Sequence, residues 1–271
     1  MITEAELTVI LDRLTAKQRT IQQNPPLHPA SVDSLLDDFA LRQAHATTAI
    51  EGNTLTLAQT QAVLEQGITI PGKSLREHLE VVNAHATWQW LRPLAQQRQP
   101  LTKAMILEIH RRLMQGIFGD EAGLYRRAPV YIRGAWHVPP NWVKVPQLVE
   151  DWIAQYSAGP GDEHPVRLAA RAHIDLVDIH PFLDGNGRTT RMVVNVLLMQ
   201  ANYPPALYAV EDRDQYIQAL RQADLTQDIT SFVAVTAKAV EFTLDRWLGL
   251  IQQVQEANAQ REYPPITHPD A

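Results

Sequence analysis

Residues 180–191 of this chain read His-Pro-Phe-Leu-Asp-Gly-Asn-Gly-Arg-Thr-Thr-Arg, and this stretch decides how the remainder is interpreted. A helix is expected to end near His180, because proline disfavours helical geometry in the residue before it. A second helix is expected to begin after the glycines and to run to about Gln200. The stretch is therefore predicted to form a helix–loop–helix whose loop carries the polar residues.

The loop has the composition of an anion-binding site. Gly185, Asn186 and Gly187 can turn successive backbone N–H groups inward, and the start of the next helix adds unpaired N–H groups and its positive dipole end. Arg188 and Arg191 follow on that helix, where two cations are locally unfavourable unless a polyanion is bound. We therefore expect phosphate groups to bind to these five residues.

The same loop also offers a metal ligand and a base. Asp184 supplies a hard oxygen ligand, which suits Mg²⁺ (or Mn²⁺) bridging phosphates rather than zinc. His180 is the one base of the loop that can be neutral, and with nucleotide bound we expect Arg188, Arg191 and the metal to keep it neutral. Each residue also has a simpler explanation as a dipole partner, a turn former or a solvated surface residue. Together they combine a base, a metal ligand and an anion site.

The remainder of the chain reads as helical. Apolar residues recur at helical spacing through most of its length, which predicts one all-α domain of about ten helices. Ser74 with Glu77, and Thr56 with Gln59, read as capping boxes that each open a helix. Residues 67–74 match the spacing of a phosphate-binding loop, but no strand pattern precedes them, so Gly67 is interpreted as a helix end and Ser74 as the next helix cap.

One stretch departs from the helical pattern. Residues 129–139 are rich in β-branched and aromatic side chains and have Gly134 at their centre, as a hairpin would. An isolated hairpin is only marginally stable, so this one needs support from the helices. Whether it is a functional flap or a simple surface hairpin stays open on the residues alone.

The composition narrows the class of protein. The 271 residues contain 24 basic and 30 acidic side chains, a net charge of −6, and 45% apolar residues, enough for a substantial core. The absence of cysteine excludes disulfides and thiol chemistry. An acidic chain without a basic tail is a poor candidate for nucleic-acid binding, and charged residues interrupt the apolar pattern of residues 1–23. We therefore expect no nucleic acid, no membrane segment and a cytoplasmic location.

Residues 180–191 match without departure the signature His-Pro-Phe-x-Asp-Gly-Asn-Gly-Arg-x-x-Arg, and the chain resembles the Fic-domain enzymes. Residues 47–53 read Thr-Thr-Ala-Ile-Glu-Gly-Asn and are similar to the inhibitory-helix pattern of that family. Further similarity, to the branch that contains the animal endoplasmic-reticulum enzyme, lies in residues 71–74, 109–112, 121–126, 138–140 and 203–205. The resemblance implies a Fic-fold helical domain with a small β-hairpin flap. It also implies three parts: an N-terminal extension (1–70) with an inhibitory helix at about 35–52, a core (71–225), and a C-terminal helix and tail (226–271).

The resemblance further implies transfer of AMP from ATP to a Ser, Thr or Tyr hydroxyl of a target protein, which could be the enzyme itself. His180 would act as general base and Asp184 would hold the metal. Glu51 would pair with Arg191 and so inhibit the enzyme, although on the residues alone it reads as a solvated helix-end carboxylate. Ile132 is placed in the flap beside the nucleotide, and Tyr216 and Asp224 near the adenine, where core and surface roles are the alternatives.

Several functions remain open at this level. The same site could remove AMP from modified proteins, or transfer a phosphoryl or another nucleotidyl group. A non-enzymatic reading, as a nucleotide-binding adaptor or a toxin–antitoxin partner, also remains. The apolar C-terminal helix could pack in a homodimer as well as in the core.

Overall fold

The computed structural model describes residues 2–132 and 137–262, with side chains described up to residue 259. Within these ranges the chain forms ten α-helices and three short 3-10 turns, and no strand. None of these helices is long and apolar enough to cross a membrane. The helices are α1 (Glu4–Gln23), α2 (Pro29–Ala49), α3 (Leu57–Gln66), α4 (Leu75–Gln96), α5 (Lys103–Leu113), α6 (Val145–Tyr156), α7 (Pro165–Ile179), α8 (Asn186–Gln200), α9 (Arg213–Thr226) and α10 (Thr230–Glu262).

The predicted helix ends between α3 and α4 are confirmed. Thr56 and Ser74 each cap a helix with their side chain in a reciprocal capping box. Gly67 ends α3 in the left-handed conformation with φ 66°, a geometry that glycine adopts without steric cost. The segment with phosphate-loop spacing is therefore the connection between two helices.

Helix α8 is the central element of the fold. Every residue from Arg188 to Leu198 is buried, so the helix is surrounded by protein on all sides. Val193 and Val196 belong to one core cluster, together with residues of α4, α5, α6 and α7. Val194 and Leu198 belong to a second cluster with residues of α1 and α10. This packing holds the start of α8, and the loop before it, in a fixed position.

The expected hairpin lies partly outside the described residues, and the helix expected to be inhibitory differs in its bounds. Residues 133–136, with Gly134, lie outside the described residues, and the described residues on either side, including Ile132 and His137, form no strand. The segment expected to form an inhibitory helix corresponds to α2, which begins earlier than expected, at Pro29, because proline is favoured at the first position of a helix. It ends at Ala49, so Glu51 lies in the turn that follows.

Candidate active site

His180 closes helix α7, as the sequence predicts. Its backbone N–H donates to the carbonyl of Leu176 at 3.2 Å, and its φ of 48° places it in the left-handed region. The imidazole Nδ1 lies 3.3 Å from the carbonyl oxygen of Val177. A carbonyl can only accept, so Nδ1 carries the proton and Nε2 keeps its lone pair.

The environment of His180 favours the neutral imidazole even without nucleotide or metal. Burial is the largest cause and lowers its pKa to about 4, with the nearby charges of Arg126 and His137 acting in the same direction. The bond to Val177 and the charge of Glu51 oppose this change. In the protein without nucleotide, burial and Arg126 therefore keep the imidazole neutral.

Arg126 fixes the first half of the loop. Its side chain is 2% exposed, and Nε donates to the carbonyl of His180 at 2.8 Å. Its backbone N–H donates to the carbonyl of Pro181 at 2.9 Å. The other guanidinium nitrogens donate to the carbonyls of Ala128 and Pro140, at 3.1 and 2.5 Å. This buried cation therefore ties the loop to the chain on both sides of residues 133–136.

Asn186 and His110 fix the second half of the loop. The Asn186 side chain accepts from the Phe182 N–H at 2.9 Å and donates to the Phe182 carbonyl at 2.8 Å. The His110 ring stacks on Phe182 with centroids 3.7 Å apart, and its Nε2 donates to the Asp184 carbonyl at 3.0 Å. Its Nδ1 accepts from the N–H of Gly123 at 2.8 Å. Burial lowers the pKa of His110 to about 4, which matches this single-proton arrangement.

These contacts give the loop the shape of a cradle at the start of α8. The carbonyls of His180, Pro181, Phe182 and Asp184 are all held by protein donors. The first N–H groups of a helix have no partner within it, and the residue at the N-cap of α8, Gly185, has no side chain to cap them. Gly185 is required here, because its φ is 79° and an added Cβ would lie 2.8 Å from Met114 Sδ.

The carboxylate of Glu51 already lies at this helix end. Its Oε1 accepts from Arg191 Nη2 at 2.7 Å, and a Cβ added to Gly187 would overlap the same oxygen. The side chain is 38% exposed, which makes it an accessible rather than a core carboxylate. An anion is thus seated between the backbone of Gly187 and the guanidinium of Arg191.

Arg191 is buried and held on every side. Its Nε donates to the Thr47 hydroxyl at 2.9 Å, and Nη2 donates to the Thr47 carbonyl at 2.9 Å. Its Nη1 donates to the Tyr216 hydroxyl at 3.1 Å. Burial opposes its charge, but Tyr216 and Glu51 outweigh burial and raise the pKa of Arg191 above its usual value. Residues of α2 and α9 therefore orient this side chain.

Arg188 and Asp184 belong to a second network, which includes two residues that the sequence did not indicate. Arg188 donates to Glu80 Oε1 at 3.2 Å and to Asp184 Oδ1 at 3.1 Å. Arg76 donates to Asp184 Oδ2 at 2.6 Å and to Glu80 Oε1 at 3.0 Å. Burial raises the pKa of Asp184, but Arg188, Arg76 and the N–H of Gly185 together lower it. The spacing of Arg76 and Glu80 on α4 signals an i,i+4 pair but not this tertiary role.

The side chains beside the loop suit a cation whose other ligands come from a phosphate group and water. Among the described residues no group of three or more His, Asp or Glu side chains is arranged to hold a metal ion. Asp184 offers one partly exposed carboxylate beside the cradle. Mg²⁺ is commonly bound by one or two carboxylates together with substrate phosphates and water. The residues therefore fit a metal that arrives with a nucleotide.

The three residues expected near the nucleotide base lie in different surroundings. Tyr216 is 3% exposed and contacts Arg191 and His173, so it lies behind the arginine. Asp224 accepts from the backbone N–H of His137 at 3.0 Å, while Ile132 is partly buried on the other side of residues 133–136. A contact of these residues with adenine stays a prediction.

Comparison with known proteins matches residues 100–198 to the Fic/DOC family. The chain is 41% identical over 206 residues to the protein adenylyltransferase Fic of Drosophila willistoni, covering 74% of this chain and 40% of that protein. It is 36% identical to the protein adenylyltransferase fic-1 of Caenorhabditis briggsae, covering 89% of this chain and 47% of that protein. The chain thus spans less than half of these relatives. A solved fragment of C. elegans Fic-1 superposes with a TM-score of 0.83 at 32% identity, covering 92% of this chain and 74% of that fragment.

Proposed function

Because the chain belongs to the Fic/DOC family, we propose that it is a protein adenylyltransferase that moves AMP from ATP to a hydroxyl group of a target protein. One observation carries the proposal: a carboxylate is seated at the start of α8, between Gly187 and Arg191. This place accepts an anion, and the loop beside it presents a neutral histidine. Phosphate groups of ATP would take the place of the carboxylate.

His180 is proposed as the general base. Its Nε2 accepts the proton of a Ser, Thr or Tyr hydroxyl while the oxygen forms a bond to the α-phosphorus. The bond from the α-phosphorus to the bridging oxygen breaks, and its electron pair leaves with pyrophosphate. The bond from Nδ1 to Val177 supports this role, because it leaves Nε2 unprotonated.

The cradle and the two arginines are proposed to bind the triphosphate. Backbone N–H groups of Asn186 and Gly187 stabilise the charge that develops on the transferred group, whereas the N–H of Gly185 already donates to Asp184 Oδ1. Arg188 and Arg191 orient the outer phosphates, and their burial means that little side-chain freedom is lost on binding. Asp184 would hold Mg²⁺ or Mn²⁺, which when bound neutralises phosphate charge and helps pyrophosphate to leave.

Glu51 is proposed as an autoinhibitory residue. Its carboxylate accepts a hydrogen bond from Arg191 and fills the space beside Gly187. Phosphate oxygens would therefore compete with this carboxylate for the same donors. Because Glu51 is partly exposed and lies in a turn, it can move aside without disturbing the core. The same carboxylate could orient a water molecule, which favours removal of AMP from modified proteins as a second candidate activity.

Labelled ATP tests the proposal. With a divalent cation, Glu51→Gly is expected to incorporate α-labelled phosphate into itself or into lysate proteins more than tenfold faster than the unmodified chain. Glu51→Gly/His180→Ala should incorporate none. Incorporation of a γ-label instead would indicate a kinase, and label transfer that survives His180→Ala would rule out the proposed base. Binding of nucleotide without any transfer would support the adaptor reading.

A further inference from the structure

The two oxygens of the Asp184 carboxylate lie in different environments. Oδ1 accepts from the N–H of Gly185 at 2.6 Å and from Arg188, whose side chain is 3% exposed. Oδ2 accepts from Arg76 at 2.6 Å, and the Arg76 side chain is 52% exposed. Oδ1 is therefore held by fixed donors, whereas Oδ2 is held by a side chain that water can reach.

Arg76 lies where the helix itself disfavours a cation. It is the second residue of α4, and the positive end of a helix dipole is unfavourable for positive charge in the first turn. The contact with Asp184 compensates for this, and a second contact, from Nε to Glu80 at 3.0 Å, provides a partner on the same helix. Glu80 also accepts from Asn53 and Arg188, so it stays in place if Arg76 moves.

We propose that Arg76 occupies the metal-binding oxygen of Asp184 in the resting protein, and that a divalent cation entering with the nucleotide must displace it. The inference rests on the proposed function, because it takes Asp184 as the ligand of that cation. Arg76 acts as a positioning residue that competes with the cation. It withdraws to Glu80 when Oδ2 is taken by the metal.

The expected size of the effect is modest. An ion pair with a half-exposed partner is screened by water and contributes little free energy. Removing Arg76 should therefore tighten binding of a metal–nucleotide complex about two- to fivefold. The affinity for nucleotide without metal should be unchanged, because no cation then competes with Arg76 for Asp184 Oδ2.

Calorimetry separates these cases in a Glu51→Gly background, which frees the anion site. The dissociation constant of the α,β-methylene analogue of ATP is measured with excess Mn²⁺ and again with EDTA. Arg76→Gln, and Arg76→Met as a second uncharged variant, should lower the value two- to fivefold with Mn²⁺ and leave it unchanged with EDTA. Arg13→Gln is a matched control, because Arg13 is 49% exposed and pairs with Glu241 between α1 and α10. It should change neither value.

Asp184→Asn distinguishes failure of this inference from failure of the proposed metal site. If Asp184→Asn abolishes the benefit of Mn²⁺ but the Arg76 variants bind no more tightly with Mn²⁺, the inference is overturned and the metal site stands. If Asp184→Asn leaves the benefit intact, the metal role of Asp184 fails, and the inference fails with it. Weaker binding of the Arg76 variants in EDTA would make Arg76 a phosphate contact and would also overturn the inference.

Discussion

The carboxylate of Glu51 occupies the space that a side chain at residue 187 would need. A Cβ added to Gly187 would overlap Glu51 Oε1 and would lie 3.1 Å from Arg191 Nη1. The glycine is therefore required by a close approach and not by its backbone conformation, since it lies within α8. This close approach couples the turn after α2 to the start of α8.

The coupling can be measured with a double-mutant cycle. Gly187→Ala should lower the free energy of unfolding in the presence of Glu51, because the methyl group displaces the carboxylate from Arg191. In a Glu51→Gly background, Gly187→Ala should lower the free energy of unfolding by less. The difference between the two effects, which is the coupling energy, should be about 1 kcal/mol. Urea denaturation provides the four values.

Gly249→Ala is the matched control for this cycle. Gly249 lies in α10, and no atom of the described residues is within 4 Å of an added Cβ. Alanine is favoured over glycine in a helix, so a stabilisation of about 0.5–1 kcal/mol is expected in both backgrounds. Equal effects of Gly187→Ala with and without Glu51 would contradict the predicted coupling.

Tyr216→Phe tests whether this residue positions Arg191 or contacts the base. The hydroxyl accepts from Arg191 and contacts His173 Nε2 at 3.0 Å, and all three side chains are buried. Its removal leaves buried polar groups without a partner, which should lower the free energy of unfolding by about 1–3 kcal/mol. The preference for ATP over GTP, measured by calorimetry, should not change.

Tyr208→Phe provides the comparison, since Tyr208 is also buried but its hydroxyl contacts Thr236 rather than Arg191. It should leave nucleotide affinity unaltered, whereas Tyr216→Phe should weaken it by releasing Arg191. A change in ATP over GTP preference with Tyr216→Phe at unaltered stability would instead indicate an adenine contact.

Local sequence signals predicted the loop and the helix ends well. The proline after His180 and the left-handed Gly185 determine the geometry of their own segment, so the end of α7 and the start of α8 are local properties. Helix α8 begins at Asn186, slightly before the expected start after Gly187. The same holds for the capping boxes of Thr56 and Ser74, whose partners lie three residues away.

Contacts between distant segments could not be predicted in this way. The sequence predicted Arg188 and Arg191 as phosphate-binding residues but not their burial. They are buried because α8 is central and because Glu80 and Thr47 from other helices pair with them. The sequence did not indicate that Arg126 holds the loop in place. Its hydrogen-bond partners are backbone carbonyl groups, which every residue has. The contribution of burial to the neutral state of His180 could not be predicted for the same reason, because burial is a tertiary property.

His110 makes stability depend on pH. Burial lowers its pKa in the folded protein to about 4, below the 6.5 of an unfolded chain, so between these values the unfolded state binds more protons. Stability is therefore fully present above pH 6.5 and decreases as the pH falls toward 4. Because of His110 alone, the free energy of unfolding should be about 2 kcal/mol lower at pH 5 than at pH 7.

His110→Gln isolates this contribution, because the Gln side-chain amide can still donate to the Asp184 carbonyl but does not titrate. The decrease in unfolding free energy from pH 7 to pH 5, measured with urea, should be about 2 kcal/mol smaller in this variant than in the unmodified chain. An equal decrease in both proteins would show that His110 is not the titrating group.

The rate of AMP transfer should depend on pH through His180. The base must be neutral to accept a proton, and burial with the charges of Arg126 and His137 lowers its pKa to about 4. In Glu51→Gly, which also removes a carboxylate that raises this pKa, kcat/KM should stay level from pH 8 to pH 5 and fall only below that. Initial rates of α-label incorporation measure this, over the range in which far-UV circular dichroism shows the fold intact. A loss of activity centred near pH 6.5, the value of an exposed imidazole, would mean that the base is not the buried His180.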